Sequence, residues 1–177
     1  MTIALVYVSR RALRSPASHG FPRFLAWEAI LVLVLVNFVS FREWFRDPYS
    51  ARQIISWILL VGSLLLGVPG IVFLRVRGRP RPDRADDDTL VGIEKTTRLV
   101  TTGVFRYVRH PLYSSLLFLA WGVFFKGPGW VAGLLAACAT AMLYATARAE
   151  EKEDLRYFGD AYRTYMARSR MFVPFLF

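Results

Sequence analysis

The sequence predicts an all-α integral membrane protein with about four transmembrane helices, the last two forming a short helical hairpin, plus a cytosolic amphipathic C-terminal helix. Three observations carry this expectation. Of 177 residues, 55% are hydrophobic and 15% aromatic, with positive mean hydropathy. Four separate apolar runs approach the roughly 20 residues that a helix needs to cross the hydrocarbon core. Basic residues collect at the ends of these runs, where a membrane protein meets its aqueous faces.

The first apolar run covers residues 24–41, unbroken from Ile30 to Val36. Residues 1–8 are too short to span, and Arg10, Arg11, Arg14 and Arg23 follow them, so a cleaved signal peptide is not expected. The second run, 54–74, contains Gly62, Gly67 and the Pro69-Gly70 pair. The third, 112–125, and the fourth, 130–147, are joined by Gly127-Pro128-Gly129, which predicts a tight turn between antiparallel helices. Gly133, Ala136, Ala137 and Thr140 are small enough to let a neighbouring helix come close. Neither glycine cluster follows a strand in a βαβ unit, so both are bends rather than nucleotide loops.

Charge sets the expected orientation. Arg42, Arg46 and Arg52 follow the first span, but Arg75, Arg77, Arg79, Arg81, Arg84, Lys95, Arg98, Arg106 and Arg109 crowd the loop after the second. Lys126 is the one basic residue between the third and fourth runs, and six more follow the fourth, from Arg148 to Arg170. The positive-inside rule then places both termini and the central loop in the cytoplasm, as in a bacterial-type inner membrane. A net charge of +10 in so apolar a chain points to anionic lipid rather than to nucleic acid. The single cysteine, Cys138, excludes an internal disulfide and a cysteine-based zinc site.

The chain reads as one membrane domain, 1–177: two N-terminal spans in 24–74, a cytosolic loop 75–111, a helical hairpin 112–147 and a C-terminal segment 148–177. Residues 75–88 are rich in charge and proline and read as solvated. Their Asp86-Asp87-Asp88 run reads as hydrated carboxylates, and no metal site is expected. Leu90, Val91, Ile93, Leu99, Val100, Val104 and Phe105 are apolar anchors that pack the rest of the loop on the protein or the membrane surface. In the C-terminal segment, Leu155, Phe158, Tyr162 and Tyr165 recur at helical spacing and predict an amphipathic helix. If the last two spans form a hairpin, Glu150 at the exit of the fourth comes close to His110 and Tyr113 at the start of the third.

Two blocks carry a more specific signal. Leu99-Val100-Thr101-Thr102-Gly103-Val104-Phe105 leads to Arg109-His110-Pro111-Leu112-Tyr113, and Glu150-Glu151, Leu155, Phe158-Gly159, Tyr162 and Tyr165 follow in that order, with Pro174 in the tail. In these features the chain resembles the isoprenylcysteine carboxyl methyltransferase and phospholipid methyltransferase-like family of integral membrane methyltransferases. The resemblance covers residues 90–177; the first two spans match only in being apolar.

The resemblance implies an enzyme that transfers a methyl group from S-adenosyl-L-methionine to a lipophilic acceptor, a carboxylate in the first instance. By motif, Thr97, Arg98, Leu99, Val100, Phe105, His110, Pro111, Leu112, Tyr113 and Glu150 would bind the cofactor. An aromatic and aliphatic wall suits adenine, and a carboxylate suits ribose hydroxyls or the methionine ammonium. Pro111 would open the third helix, where its missing N–H costs nothing, and helix-start amides favour an anionic group. A sulfonium is already activated, so no dedicated catalytic residue is implied; proximity and orientation supply the rate. The eukaryotic members carry an arginine one turn before the residue matching Glu150, and it contacts the acceptor. Here that position is Thr146, the substrate-binding candidate, with Arg148 rotated about 200° away. Phe105 also replaces a hydroxyl-bearing aromatic. The acceptor, entering sideways from the bilayer, can therefore differ from a prenylated cysteine: another lipid-like or small apolar carboxylate, a thiol or an amine. Two other functional classes stay open from the sequence: an NADPH-dependent membrane reductase of the sterol-reductase type, and a non-catalytic protein that binds lipid or a partner.

Overall fold

A computed structural model describes residues 20–39, 41–79 and 96–173. The basic residues before Arg23, His19, the Asp86-Asp87-Asp88 run, the anchors Leu90, Val91 and Ile93, and Pro174 all lie outside the described residues. Within them the chain forms five α-helices and no strand: α1 (Gly20–Val39), α2 (Ala51–Arg77), α3 (Pro111–Lys126), α4 (Trp130–Phe158) and α5 (Asp160–Arg168). Short 3-10 turns at Phe41–Phe45 and Gly103–Arg106 sit before α2 and before α3.

The apolar runs become helices because in lipid each backbone N–H and C=O must find a partner within its own segment. Three of them, α1, α2 and α4, are long and apolar enough to cross a membrane; α3, at 16 residues, is shorter. At 1.5 Å per residue, α3 is about 24 Å long against a core of about 30 Å. It sits in the middle of the bundle, packing on α2, α1 and α4.

Contact faces follow helical spacing. Ala132, Ala136, Ala139, Leu143 and Ala147 of α4 are buried at steps of three and four, facing α1, whose Ala26, Ile30 and Leu33 are buried in the same core. Gly122 lets α3 approach α2 so closely that a Cβ there would lie 2.8 Å from Leu60. The other face of α2 is open. Ile58, Leu64, Leu65, Val68 and Val76 are exposed, as expected of a lipid-facing surface.

The two ends of the bundle are polar in different ways. At the Gly127 end, the buried Lys126 ammonium donates to Gln53 Oε1 (2.8 Å) and lies 3.6 Å from the centre of the Trp57 ring, while Arg52 donates to the Lys126 carbonyl (3.1 Å). This caps the hairpin without an acidic partner for Lys126 among the described residues. At the opposite end, α4 runs on beyond residue 147, the limit of the apolar run, to Phe158. Gly159, at φ +58°, then breaks the amphipathic segment, so Leu155 and Phe158 stay on α4 while Tyr162 and Tyr165 belong to α5.

After α5 the chain folds back as an extended strap, residues 169–173, beside the loop that leads into α3. Val108 and Arg170 form a parallel bridge, with Arg109 N donating to Arg170 O (2.7 Å), His110 N to Met171 O (3.2 Å) and Arg170 N to Tyr107 O (2.9 Å). Ser114 Oγ adds a bond to Phe172 O (2.7 Å). The loop before α3 is thus anchored by the far end of the sequence.

Candidate functional site

A cavity of about 320 Å³ opens where the loop 96–110, the start of α3, the end of α4 and α5 meet. That volume falls within the range of small-molecule sites, about 300–1,000 Å³. Leu99, Val100 and Phe105 come from the loop, Pro111, Leu112 and Tyr113 from the first turn of α3, and His110 caps that helix. Glu150 projects from α4 on the other side. Eight of the ten cofactor-site residues expected from sequence are therefore brought together.

Thr97 and Arg98 are not among the lining residues. Their amides bond to Gly78 O (3.0 and 3.3 Å) and Thr97 Oγ1 to Arg79 O (3.0 Å), so this turn staples the loop to the end of α2 while Thr96 reaches the cavity. Thr146 also stands off the wall. It is fully buried in the bundle, and its hydroxyl bonds to Met142 O one turn back (2.8 Å), the usual way for a threonine to satisfy itself in an apolar helix.

The wall contains residues that the sequence reading passed over. Glu153, Asp154 and Tyr157 lie three, four and seven positions after Glu150, on the same face of α4. Arg156 and Phe158 complete that side, and Leu74 of α2 lines the same cavity. The helical period, which puts these positions on the face of Glu150, is the signal in the sequence that finds them. Tyr162 and Tyr165, expected on the apolar face of an amphipathic helix, are buried and also line the cavity; the Tyr165 hydroxyl bonds to Phe105 O (2.6 Å). Burial pushes both phenols above their ordinary range, with nearby acidic groups adding to the effect on Tyr162, so both remain neutral donors.

The polar centre is a row of four charged groups. His110 lies between two carboxylates, Nδ1 3.4 Å from Glu150 Oε2 and Nε2 3.6 Å from Glu151 Oε1, and its ring stacks on Tyr113 (5.5 Å). Arg109 holds the same Glu151 oxygen at 2.8 Å. Glu151 is only 3% exposed and His110 6%. Burial opposes the imidazolium charge, but the two carboxylates outweigh it and raise the His110 pKa to about 9. Among the described residues no group of three His, Cys, Asp or Glu is placed to hold a metal ion.

The cavity thus offers an apolar and aromatic wall, a carboxylate beside an imidazolium, and further acids one turn along. These suit a ligand that combines a planar base, hydroxyls and a cationic group.

Residues 84–161 match the phospholipid methyltransferase family. Methanethiol S-methyltransferase 1 of Bradyrhizobium diazoefficiens is 35% identical over 88 residues, a match covering 48% of this chain and 30% of that protein. The chain therefore spans less than a third of the curated relative it matches. No solved structure matches the chain significantly. The stretch that matches, residues 84–161, holds the loop motif, both hairpin helices and the acidic face of α4.

Proposed function

We propose that this protein is an integral membrane methyltransferase that uses S-adenosyl-L-methionine and passes its methyl group to a lipophilic acceptor. The observation that carries the reading is the convergence of Leu99, Phe105, His110, Tyr113 and Glu150 on one cavity at the end of an apolar helix bundle. The family match favours group transfer over an NADPH-dependent reductase or a non-catalytic binder.

When bound, the cofactor supplies an electrophilic methyl on a sulfonium centre. The rest falls to the protein. Leu99, Val100 and Phe105 form a dry wall for the base, and Glu150, steadied by His110, faces hydroxyl or ammonium groups. Leu74 of α2, the helix whose other face is open, and Leu112 of α3 border the cavity with apolar side chains. An acceptor arriving from the bilayer beside these two residues meets apolar side chains first. With Thr146 off the wall, the helix face before Glu150 offers no anchor for an acceptor carboxylate. The acceptors to test first are therefore small apolar thiols, with apolar carboxylates second, and the relative's printed name points the same way. We place both termini and the cavity on the cytoplasmic side of an inner membrane, from the arginine-rich loop and C-terminal segment.

The test is methyl transfer from a methyl-deuterated donor, followed by mass spectrometry, with the protein in lipid nanodiscs and a panel of alkyl thiols, alkyl carboxylates and amines. Labelled thioether or ester supports the reading. No labelled product from any acceptor, with protein that remains folded, refutes it.

A further inference from the structure

We propose that Arg109 is a positioning residue for this site: it clamps the loop before α3 to α4, α5 and the strap, and it holds Glu151 so that His110 and Glu150 keep their places at the cavity wall. The inference rests on the cavity being the cofactor site.

Arg109 borders the cavity, and in a cofactor site an arginine is the obvious partner for a ligand carboxylate. Three of its five N–H donors are already committed to the protein. Nε donates to Glu151 Oε1 on α4 (2.8 Å), and Nη1 donates to the carbonyls of Met166 on α5 (3.2 Å) and Ser169 at the start of the strap (2.5 Å). One guanidinium therefore joins three elements that are 42 to 60 residues away in sequence. Its own amide bonds to Arg170 O, so the side chain and main chain of Arg109 are held by the same strap. Three protein acceptors on one planar fork, one of them a carboxylate, fix its geometry.

The consequence reaches His110 through a shared oxygen. Glu151 Oε1 bonds to Arg109 at 2.8 Å and stands 3.6 Å from His110 Nε2, while Glu150 Oε2 stands 3.4 Å from Nδ1. The imidazole has a carboxylate on each side, and the strength of Arg109's hold on Glu151 decides how far that oxygen can turn toward Nε2. Arg148, 3.8 Å from the other Glu151 oxygen and half exposed, is a weaker restraint. Without Arg109, Glu151 turns to His110, the ring moves off Glu150, and the carboxylate facing the cavity loses its support.

The chain contains two histidines, His19 and His110, so in a His19→Gln background a ¹⁵N-histidine NMR spectrum reports His110 alone. Arg109→Gln is expected to shift both ring-nitrogen resonances and lower affinity for S-adenosylhomocysteine at least tenfold, with helical circular dichroism unchanged. Arg109→Lys, a point donor instead of a fork, should fold but recover only part of that affinity. Glu151→Gln keeps an acceptor for Arg109 while removing a charge beside His110, so it should lower the His110 pKa and cost less affinity than Arg109→Gln. The proposal is overturned if Arg109→Gln (or Arg109→Lys, should the first not fold) leaves the His110 resonances where they are, whether affinity holds or drops. A wild-type protein that does not bind S-adenosylhomocysteine refutes the cofactor reading, and the His110 spectra still decide the role of Arg109.

Discussion

Gly103 should be intolerant of any side chain, and the reason can be divided into two measurable parts. It opens the 3-10 turn that carries Phe105, at φ +66°, and the position a Cβ would take lies in the face of the Phe73 ring of α2. Phe73 is held in turn by Arg77, whose guanidinium sits 5.2 Å from the ring centre and donates to Thr102 Oγ1 (2.6 Å). In Gly103→Ala the left-handed backbone costs about 1–2 kcal/mol, and forcing a methyl against the ring costs about 1–3 kcal/mol. The sum, about 2–5 kcal/mol, falls on a turn at the rim of the cavity rather than on the membrane helices. It should appear as a loss of ligand affinity of about 30-fold or more, since about 1.4 kcal/mol is tenfold. Titration calorimetry with S-adenosylhomocysteine measures the loss in Gly103→Ala. Repeating it in a Phe73→Ala background isolates the overlap, which should vanish and leave only the backbone part. An equal cost in both backgrounds would refute the packing argument, and no cost in either would refute the whole account of Gly103.

Other consequences are as direct. Glu150→Gln should remove measurable S-adenosylhomocysteine binding with thermal stability close to wild type; calorimetry and a melting curve in detergent check both. His110 has a raised pKa, so its charge favours the folded site fully below about pH 6.5 and is lost as pH rises through about 9. Ligand affinity should accordingly be flat from pH 6.5 to 8 and fall above 9, with Glu150, Glu151, Arg109 and Tyr162 as the charged or titratable neighbours; an affinity that falls instead between pH 6 and 7 would contradict this. Tyr165→Phe loses one bond to Phe105 O, worth about 1 kcal/mol, and should weaken binding severalfold. Lys126→Met leaves Gln53 Oε1 without its donor and should destabilise the fold by about 1–3 kcal/mol. Lys126 is about 22 Å along α3 from the cavity, so the same variant should bind ligand as wild type does.

Much of this architecture was legible in the sequence because hydrophobic runs in a membrane protein leave the backbone few alternatives. The turn at Gly127-Pro128-Gly129 and the proline that opens α3 fall where the sequence places them. The break at Gly159 was not legible, since the apolar spacing of Leu155, Phe158, Tyr162 and Tyr165 continues smoothly through it and only a positive φ interrupts the helix. In the site, motif order brought Leu99 to Tyr113 against Glu150, but it does not say which side of the loop faces inward. Thr97 and Arg98 turn to the Gly78 carbonyl, and Thr146 satisfies itself within its helix. Arg109 could not be assigned from sequence, because its partners belong to α4, α5 and the strap and meet only in the folded chain.

We propose that the cavity between the loop, α3 and the acidic face of α4 holds the methyl donor. Titration calorimetry of the detergent-purified protein with S-adenosylhomocysteine, with NADPH as the parallel ligand, tests it most directly. Saturable one-site binding of S-adenosylhomocysteine that disappears in Glu150→Gln is expected, with no binding of NADPH. Binding of NADPH alone, or S-adenosylhomocysteine binding that survives Glu150→Gln unchanged, would contradict it.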